Sequence, residues 1–371
     1  MKKAKLLMSD ETLFKDEEVF TPSYVPEDFI HRDDQLGGLS LALKPGLRGV
    51  SPLNTLLHGP PGTGKTTAIK YLFNQVAEET SRLLPVYINC EDCHTRFSIF
   101  SKIHEKVFGH SPPDTGKPLE SVKERVFRKL TSEKKTLAVA LDEFDNLFLE
   151  KNVDSVLLDL LKAHSSYGFD KVGIIGIMID EKYMSQLDVK TKSVYNPQEI
   201  FFQPYTVSEI REILLNRAKF GFYPGVVSEN VLDIVVEKTF SQGDLRVGID
   251  LLRRSAYLAE SKASKKVTKE HVEEAFEKGS RLLGLKKVVG ALDAEEGELL
   301  RLIASSDIKS SGEIYEAFNR DTRIGIKKYN QIIQKLEHYK LIDTSYKTGE
   351  RGRNRDILLR YDSADLLKAL K

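Results

Sequence analysis

The sequence predicts an α/β chain in three parts: a parallel sheet covered by helices, a small all-helical unit, and three helices closed by a hairpin. Three observations carry this reading. Short apolar runs at Leu53–Leu57, Pro85–Ile88, Leu137–Leu141, Val172–Ile179 and Ile200–Phe202 are separated by helical stretches, the pattern of parallel strands buried on both faces. After Gln203-Pro204-Tyr205 the strand signal stops, and residues 207–219, 227–240, 244–261 and 268–283 show helical periodicity. Beyond a break expected at Gly284–Gly290, helical patterns at Ala294–Ala304, Ser311–Phe318 and Ile326–Tyr339 precede strand candidates Leu341–Tyr346 and Asp356–Tyr361. The expected domains are residues 1–204, 205–288 and 289–371.

Composition narrows the class of function. With 40% hydrophobic and 30% charged residues the chain is of ordinary globular type. Fifty-six Lys and Arg against 55 Asp and Glu leave a net charge of +1, so any attraction to a polyanion must be local. The best apolar run, Val172–Ile179, falls well short of the ~18 residues that span a bilayer. Leu6-Leu7-Met8 is too short for a signal peptide, so the expected location is the cytoplasm. Cys90-Glu91-Asp92-Cys93-His94 matches a haem-attachment spacing, but that chemistry needs export. With no second Cys pair to complete a zinc site, the two thiols read as buried or incidental.

The first strand runs into Gly59-Pro60-Pro61-Gly62-Thr63-Gly64-Lys65-Thr66, which fits G-x-x-x-x-G-K-[ST] between a strand and a helix. Glycines there let backbone N–H groups turn onto phosphate oxygens, and the helix N-terminus adds its dipole. Lys65 is the candidate for the β- and γ-phosphates and Thr66 for Mg²⁺, with Thr67 next in the same turn; ATP or ADP with Mg²⁺ is the expected cofactor. The third strand ends at Asp142-Glu143, 77 positions after Lys65. Asp142 is placed to hold hydrated Mg²⁺ and Glu143 to polarise an attacking water. In the helical unit, Arg246 of Gly243-Asp244-Leu245-Arg246 could reach a γ-phosphate or pair with Asp244 or Asp250, and the residues leave both open.

Three helices and a hairpin form a winged helix-turn-helix arrangement, with Ser310-x-x-Glu313 as a capping box for the second helix. Residues 320–360 hold eleven Lys and Arg against five Asp and Glu, a local +6. On the third helix Ile326, Tyr329, Ile332, Ile333, Leu336 and Tyr339 form the inward stripe. Lys327, Lys328, Asn330, Gln331, Gln334 and Lys335 face outward, where amides suit base edges and ammonium groups suit phosphates. Arg351, Arg353 and Arg355 are expected at the hairpin tip, within reach of a minor groove or the phosphate backbone.

Taken together, these motifs resemble the AAA+ ATPases, and more narrowly the archaeal replication-initiator family, relatives of the eukaryotic origin recognition complex and cell division control initiators. The likeness covers nearly the whole chain: Phe14-Lys15-Asp16-Glu17, Tyr24-Val25-Pro26-Glu27, His31-Arg32, Ile88-Asn89-Cys90, Leu141-Asp142-Glu143, Gly243-Asp244-Leu245-Arg246 and Asp250-Leu251-Leu252-Arg253-Arg254. The resemblance implies an AAA+ domain, a helical lid and a winged helix. It implies Arg246 as second sensor, Asn89 as the residue gating Glu143, and Tyr24, Val25 and Arg32 as nucleotide contacts. It also implies a DNA-touching helical insertion at about residues 95–120. Double-stranded origin DNA, a second initiator paralogue and the replicative helicase are the implied partners, with no membrane and a nucleoid location.

Two positions depart from the family pattern. Ile179 stands where a water-positioning Asn is usual, and Lys190 where an Arg is offered to a neighbour's ATP. Lys lacks the planar fork of Arg. Both departures imply slow turnover, with ATP acting mainly as a conformational ligand. A clamp-loader-like ATPase and an ATP-gated transcription regulator remain as other readings.

Overall fold

The computed structural model describes residues 12–113, 118–306, 310–339, 341–349, 352–361 and 363–370. They fall into two units, Met1–Lys269 and Glu270–Lys371. In the first, α1 (Asp33–Leu47) leads to β1 (Thr55–His58), α2 (Lys65–Glu79), β2 (Leu83–Asn89), α3 (Arg96–Phe108), α4 (Leu119–Ser132) and β3 (Thr136–Asp142). There follow α5 (Asp145–Leu149), α6 (Val153–Leu161), α7 (Ala163–Tyr167), β4 (Val172–Ile177), α8 (Val189–Tyr195) and β5 (Gln198–Phe201). The five strands pair in parallel in the order β2-β3-β4-β1-β5.

The period-2 alternation of β3 explains how both faces are covered. Leu137, Val139 and Leu141 pack with Ile99, Phe100, Val126, Phe127 and Val156 from α3, α4 and α6. Ala138 and Ala140 look the other way, toward Leu39 and Leu43 of α1 and Ile69 and Phe73 of α2. Because β4 lies between β3 and β1, the C-terminal ends of these three strands emerge side by side. That edge of an open α/β sheet is where ligands bind.

Three helices complete the first unit: α9 (Val207–Gly221), α10 (Glu229–Gln242) and α11 (Leu245–Ser261). A capping box, Thr206 with Glu209, starts α9, and Gly243 in the left-handed region (φ 66°) ends α10. The N-terminal segment is tied to these helices. Lys15 N–H donates to Gly221 O at 2.8 Å, Arg217 Nη1 donates to Val19 O at 2.8 Å, and the rings of Phe14 and Phe20 pack at a tilt against Phe222.

In the second unit α12 (Lys269–Val289), α13 (Ala294–Ser305), α14 (Ser311–Thr322) and α15 (Ile326–His338) precede the antiparallel pair β6 (Ile342–Gly349) and β7 (Gly352–Leu359), then α16 (Ser363–Ala369). Leu285, Leu299, Leu300, Ile303, Ile314, Ile333, Leu336, Ile342 and Ile357 form their shared core. Among the described residues no helix is long and apolar enough to cross a membrane.

Several sequence expectations need correction in this unit. The helix α12 runs through Gly284, because Leu285 and Val289, one turn apart, are buried in this core and outweigh a glycine cost of about 1 kcal/mol. The Ser310–Glu313 capping box does not form: Ser310 makes no side-chain cap and its extended backbone bridges to Asp356 of β7. A capping box starts α13 instead, from Asp293 and Glu296. Ile326 does not join the inward stripe; it is 60% exposed, at the first position of α15.

Candidate functional site

The loop between β1 and α2 is shaped by its glycines. Gly59, Gly62 and Gly64 all have positive φ (139°, 72° and 92°), which favours glycine. A Cβ on Gly62 would fall 2.1 Å from Asp244 Oδ1, and one on Gly64 would fall 2.8 Å from the Tyr205 hydroxyl, so the backbone is approached closely from both sides. Pro60 and Pro61 complete the turn, and Thr63 Oγ1 donates to Pro60 O at 2.9 Å. Lys65 curls back onto the loop, its Nζ donating to Gly59 O at 2.6 Å and Pro60 O at 2.8 Å. Burial pushes its ammonium below the ordinary lysine range. Gly59 N–H donates to Ile179 O at 3.2 Å, which ties the loop to the end of β4.

Thr66 and Thr67 lie in the first turn of α2. Asp142, at the end of β3, is buried and accepts three hydrogen bonds: Thr66 Oγ1 and Tyr87 OH on Oδ2, both at 2.7 Å, and the Glu143 N–H on Oδ1 at 3.0 Å. Glu143 sits in the left-handed region (φ 50°), and burial, with Asp142 and Asp145 beside it, raises its carboxyl above the usual range. Asn89 pairs in register with Asp142, and its Oδ1 accepts the Glu91 N–H at 3.0 Å, capping the turn after β2.

Arg246 takes the paired arrangement that its sequence left open. Its Nη2 donates to Asp244 Oδ2 at 2.6 Å and its Nε to Oδ1 at 3.0 Å; the Asp244 hydrogen bond raises the guanidinium above its ordinary range. Since Asp244 Oδ1 is the atom against Gly62, Arg246 is thereby moored beside the loop.

Arg32 has no exposed surface. Its Nε, Nη1 and Nη2 donate to the carbonyls of Thr63 (3.1 Å), His31 (2.8 Å) and Gln203 (2.8 Å), and its guanidinium lies 3.6 Å above the Tyr205 ring. All three nitrogens are engaged by the protein, and Arg32 meets the loop through Thr63 O. Tyr24 lies under the Arg217 guanidinium, 4.4 Å away, and Val25 is half-buried beside it in sequence.

In the second unit, α15 buries Tyr329, Ile332, Ile333 and Leu336 and exposes Lys327, Gln331 and Gln334. Lys328 pairs with Glu295, and Lys335 Nζ donates to Glu296 at 2.6 and 2.8 Å, so both reach back to α13. Arg355 is not at the hairpin tip, as the sequence had it, because the strands run on to Gly349 and Gly352. It stands within β7 and donates to Asn330 Oδ1 at 2.7 Å. Arg351 and the side chain of Arg353 lie outside the described residues.

Residues 28–166 match the AAA ATPase domain, and residues 211–277 match the Cdc6 AAA+ ATPase-type lid domain. The ORC1-type DNA replication protein 2 of Methanosarcina acetivorans is 42% identical over 367 residues, covering 99% of this chain and 98% of that protein. Its namesake in Methanothermobacter thermautotrophicus is 40% identical over 363 residues, 97% of this chain and 96% of the relative. The chain belongs to the ORC1-type DNA replication proteins. The Aeropyrum pernix ORC1 protein, solved in complex with DNA, superposes with a TM-score of 0.72 at 28% identity, over 98% of this chain and 97% of that one. The Cdc6p structure from Pyrobaculum aerophilum shares the fold, with a TM-score of 0.63 at 23% identity over 97% and 99% of the two chains.

In this ORC1-type chain the departures are visible as geometry. Ile179 is 49% exposed, directly beyond β4, and its carbonyl is the one that holds Gly59. Neighbouring Asp180 is spent on the Lys182 N–H, at 3.0 Å. Lys190 lies in the first turn of α8 and is exposed. Sequence reasoning missed Tyr87, and it named Asp244 only as a partner for Arg246, not as the carboxylate against Gly62. Tyr87 could have been found as the polar-tipped residue of β2 that faces the β3 acid, whereas Asp244 carries no signal beyond its nearness to Arg246.

Proposed function

We propose that this ORC1-type protein binds double-stranded DNA at replication origins under the control of bound ATP and Mg²⁺, and hydrolyses that ATP slowly. The observation that carries the nucleotide half is the bond between Thr66 and Asp142, which brings a hydroxyl and a carboxylate together at the end of the glycine loop. This donor set suits Mg²⁺, a hard cation that takes oxygen ligands and keeps several waters. Thr66 would hold the ion directly and Asp142 through water; when bound, Mg²⁺ neutralises charge on the phosphates. Lys65 would exchange its loop carbonyls for β- and γ-phosphate oxygens. Glu143 Oε would take the proton of the attacking water, and its raised carboxyl range suits a base. Arg246, moored at Asp244, stands within reach of the same edge of the loop.

For the DNA half, the support is the exposed face of α15 together with the relative solved on DNA, the Aeropyrum pernix ORC1 protein. Lys327, Gln331 and Gln334 lie one turn apart on that face, the arrangement of a helix read against the major groove. The family resemblance extends the proposal to recruitment of the replicative helicase and to a paralogue on the same origin. Footprinting across the protein's own genome, with and without ATP, tests the reading. Protection centred on origins and altered by ATP supports it, protection confined to promoters favours a transcription regulator, and ATPase stimulated by a sliding clamp favours a clamp loader.

A further inference from the structure

Arg355 stands on β7 opposite Tyr346, three ladder pairs back from the Gly349–Gly352 turn. Its Nη2 donates to Asn330 Oδ1 at 2.7 Å and to Ser311 Oγ at 3.1 Å, and its Nε reaches the same Oγ at 3.3 Å. Ser311 is buried and bonded in turn to Tyr329, whose hydroxyl donates to Ser311 O at 2.9 Å. One guanidinium thus fastens the strand to α14 and α15, with two of its three nitrogens engaged. A guanidinium offers donors only, so the Asn330 atom that faces it is the carbonyl oxygen. The amide nitrogen is therefore the atom turned away from Arg355. Asn330 shares a helix face with Lys327 and Gln334, three and four residues away.

We propose that Arg355 is a positioning residue for base reading: it fixes Asn330 with its amide N–H groups outward, toward a hydrogen-bond acceptor on a base edge. The inference rests on the DNA-reading role given to α15 above. In the major groove guanine offers N7 and O6, adenine N7 and thymine O4 as acceptors, whereas cytosine presents an N4 donor. A donor held rigidly outward accepts the first three and rejects cytosine. Arg355 acts here through Asn330, without gripping a phosphate.

The test uses the full chain and a duplex selected by it from a randomised pool, with a random duplex for comparison and salt titrations on both. Arg355→Ala and Asn330→Ala should each lower the specific-to-random ratio by about five- to tenfold. The double variant should lose no more than either single one, and the slope of log K against log salt should not change. Asn330→Asp keeps a partner for Arg355 but turns an acceptor outward, so it should admit cytosine at the position read. A slope flattened by about 0.9 in Arg355→Ala, with equal loss on both duplexes, would place Arg355 on a phosphate and overturn the inference. Additive losses would overturn it too. Should Arg355→Ala fail to fold, the base preference of Asn330→Asp decides: no shift in preference rejects the proposal. Gln331→Ala and Gln334→Ala separate the two levels. If they lower the ratio while the Asn330 and Arg355 variants do not, this inference alone fails; if they too leave it unchanged, the reading role of α15 fails with it.

Discussion

Thr66 Oγ1 donates to Asp142 Oδ2 at 2.7 Å, joining residues 76 positions apart. The same oxygen takes the Tyr87 hydroxyl, so the start of α2 and the ends of β2 and β3 converge on one carboxylate. A site held this way is ordered before any ligand arrives, and less binding energy goes into arranging it.

Nucleotide binding and hydrolysis should separate cleanly. Lys65→Ala should abolish ATP binding in a fluorescent-nucleotide titration, because the loop loses its phosphate-facing charge. Glu143→Gln should bind ATP normally and stop phosphate release. A Glu143→Gln variant that turns over at the unmodified rate would show that another group takes the proton.

Gly62→Ala should weaken ATP affinity by about tenfold. Its φ of 72° costs an L-residue about 1–2 kcal/mol, and the new methyl would press on Asp244 Oδ1. Combining it with Asp244→Ala should recover part of the loss, since the clashing carboxylate is gone. Equal affinities for the single and double variants would rule the contact out as the cause.

Arg32→Lys should destabilise the chain by about 2–4 kcal/mol in urea unfolding. A single ammonium cannot replace a fork that reaches the carbonyls of Thr63, His31 and Gln203 at once. An unfolding midpoint unchanged from the parent would mean that water satisfies these carbonyls equally well.

Turnover is expected to be slow, and Ile179→Asn should raise it by about tenfold by supplying a polar group beside the attacking water. Ile179 is half exposed, so the exchange removes no core contact of consequence. A brisk parent rate, or no gain in the variant, would assign the role elsewhere.

Asp293 caps α13 by accepting the Glu296 N–H at 2.9 Å, and that bond holds its carboxyl below the usual range. The cap stabilises above the unfolded pKa and is lost as pH falls through the depressed folded value, below 3.8. Asp293→Ala should cost about 1 kcal/mol at neutral pH, and the gap from the parent should close below about pH 4. Asp293→Asn should stay near the parent throughout. Thermal unfolding of the three chains from neutral to acid pH measures both effects.

What the sequence made legible was local. The strand runs, the glycine loop and the Asp142-Glu143 step each announce themselves within ten residues, because period-2 burial and positive φ leave marks on adjacent positions. Ile326 was misread for the opposite reason: it continues the apolar spacing of α15 but precedes the first turn that touches the core. Gly284 looked like a stop, yet the burial of Leu285 and Val289 decides the matter, and burial depends on partners from other helices. Arg32, Tyr87 and Arg355 illustrate the same limit, since their roles lie in bonds to Thr63, Asp142 and Asn330, far away in the chain. A charged residue met in sequence reads as something for a ligand; in the fold its nearest acceptor is often the protein itself.

The N-terminal segment, fastened to α9 at Gly221 and Arg217, has a mechanical consequence. Beyond it the chain reaches Arg32 and then α1, which packs on the sheet, and it returns from sheet to lid at Gln203–Thr206. Arg32 binds both routes by its bonds to Thr63 and Gln203. The lid helices are thus tethered to the sheet by two stretches of chain, residues 21–32 and 203–206, and Arg32 joins the two beside the glycine loop.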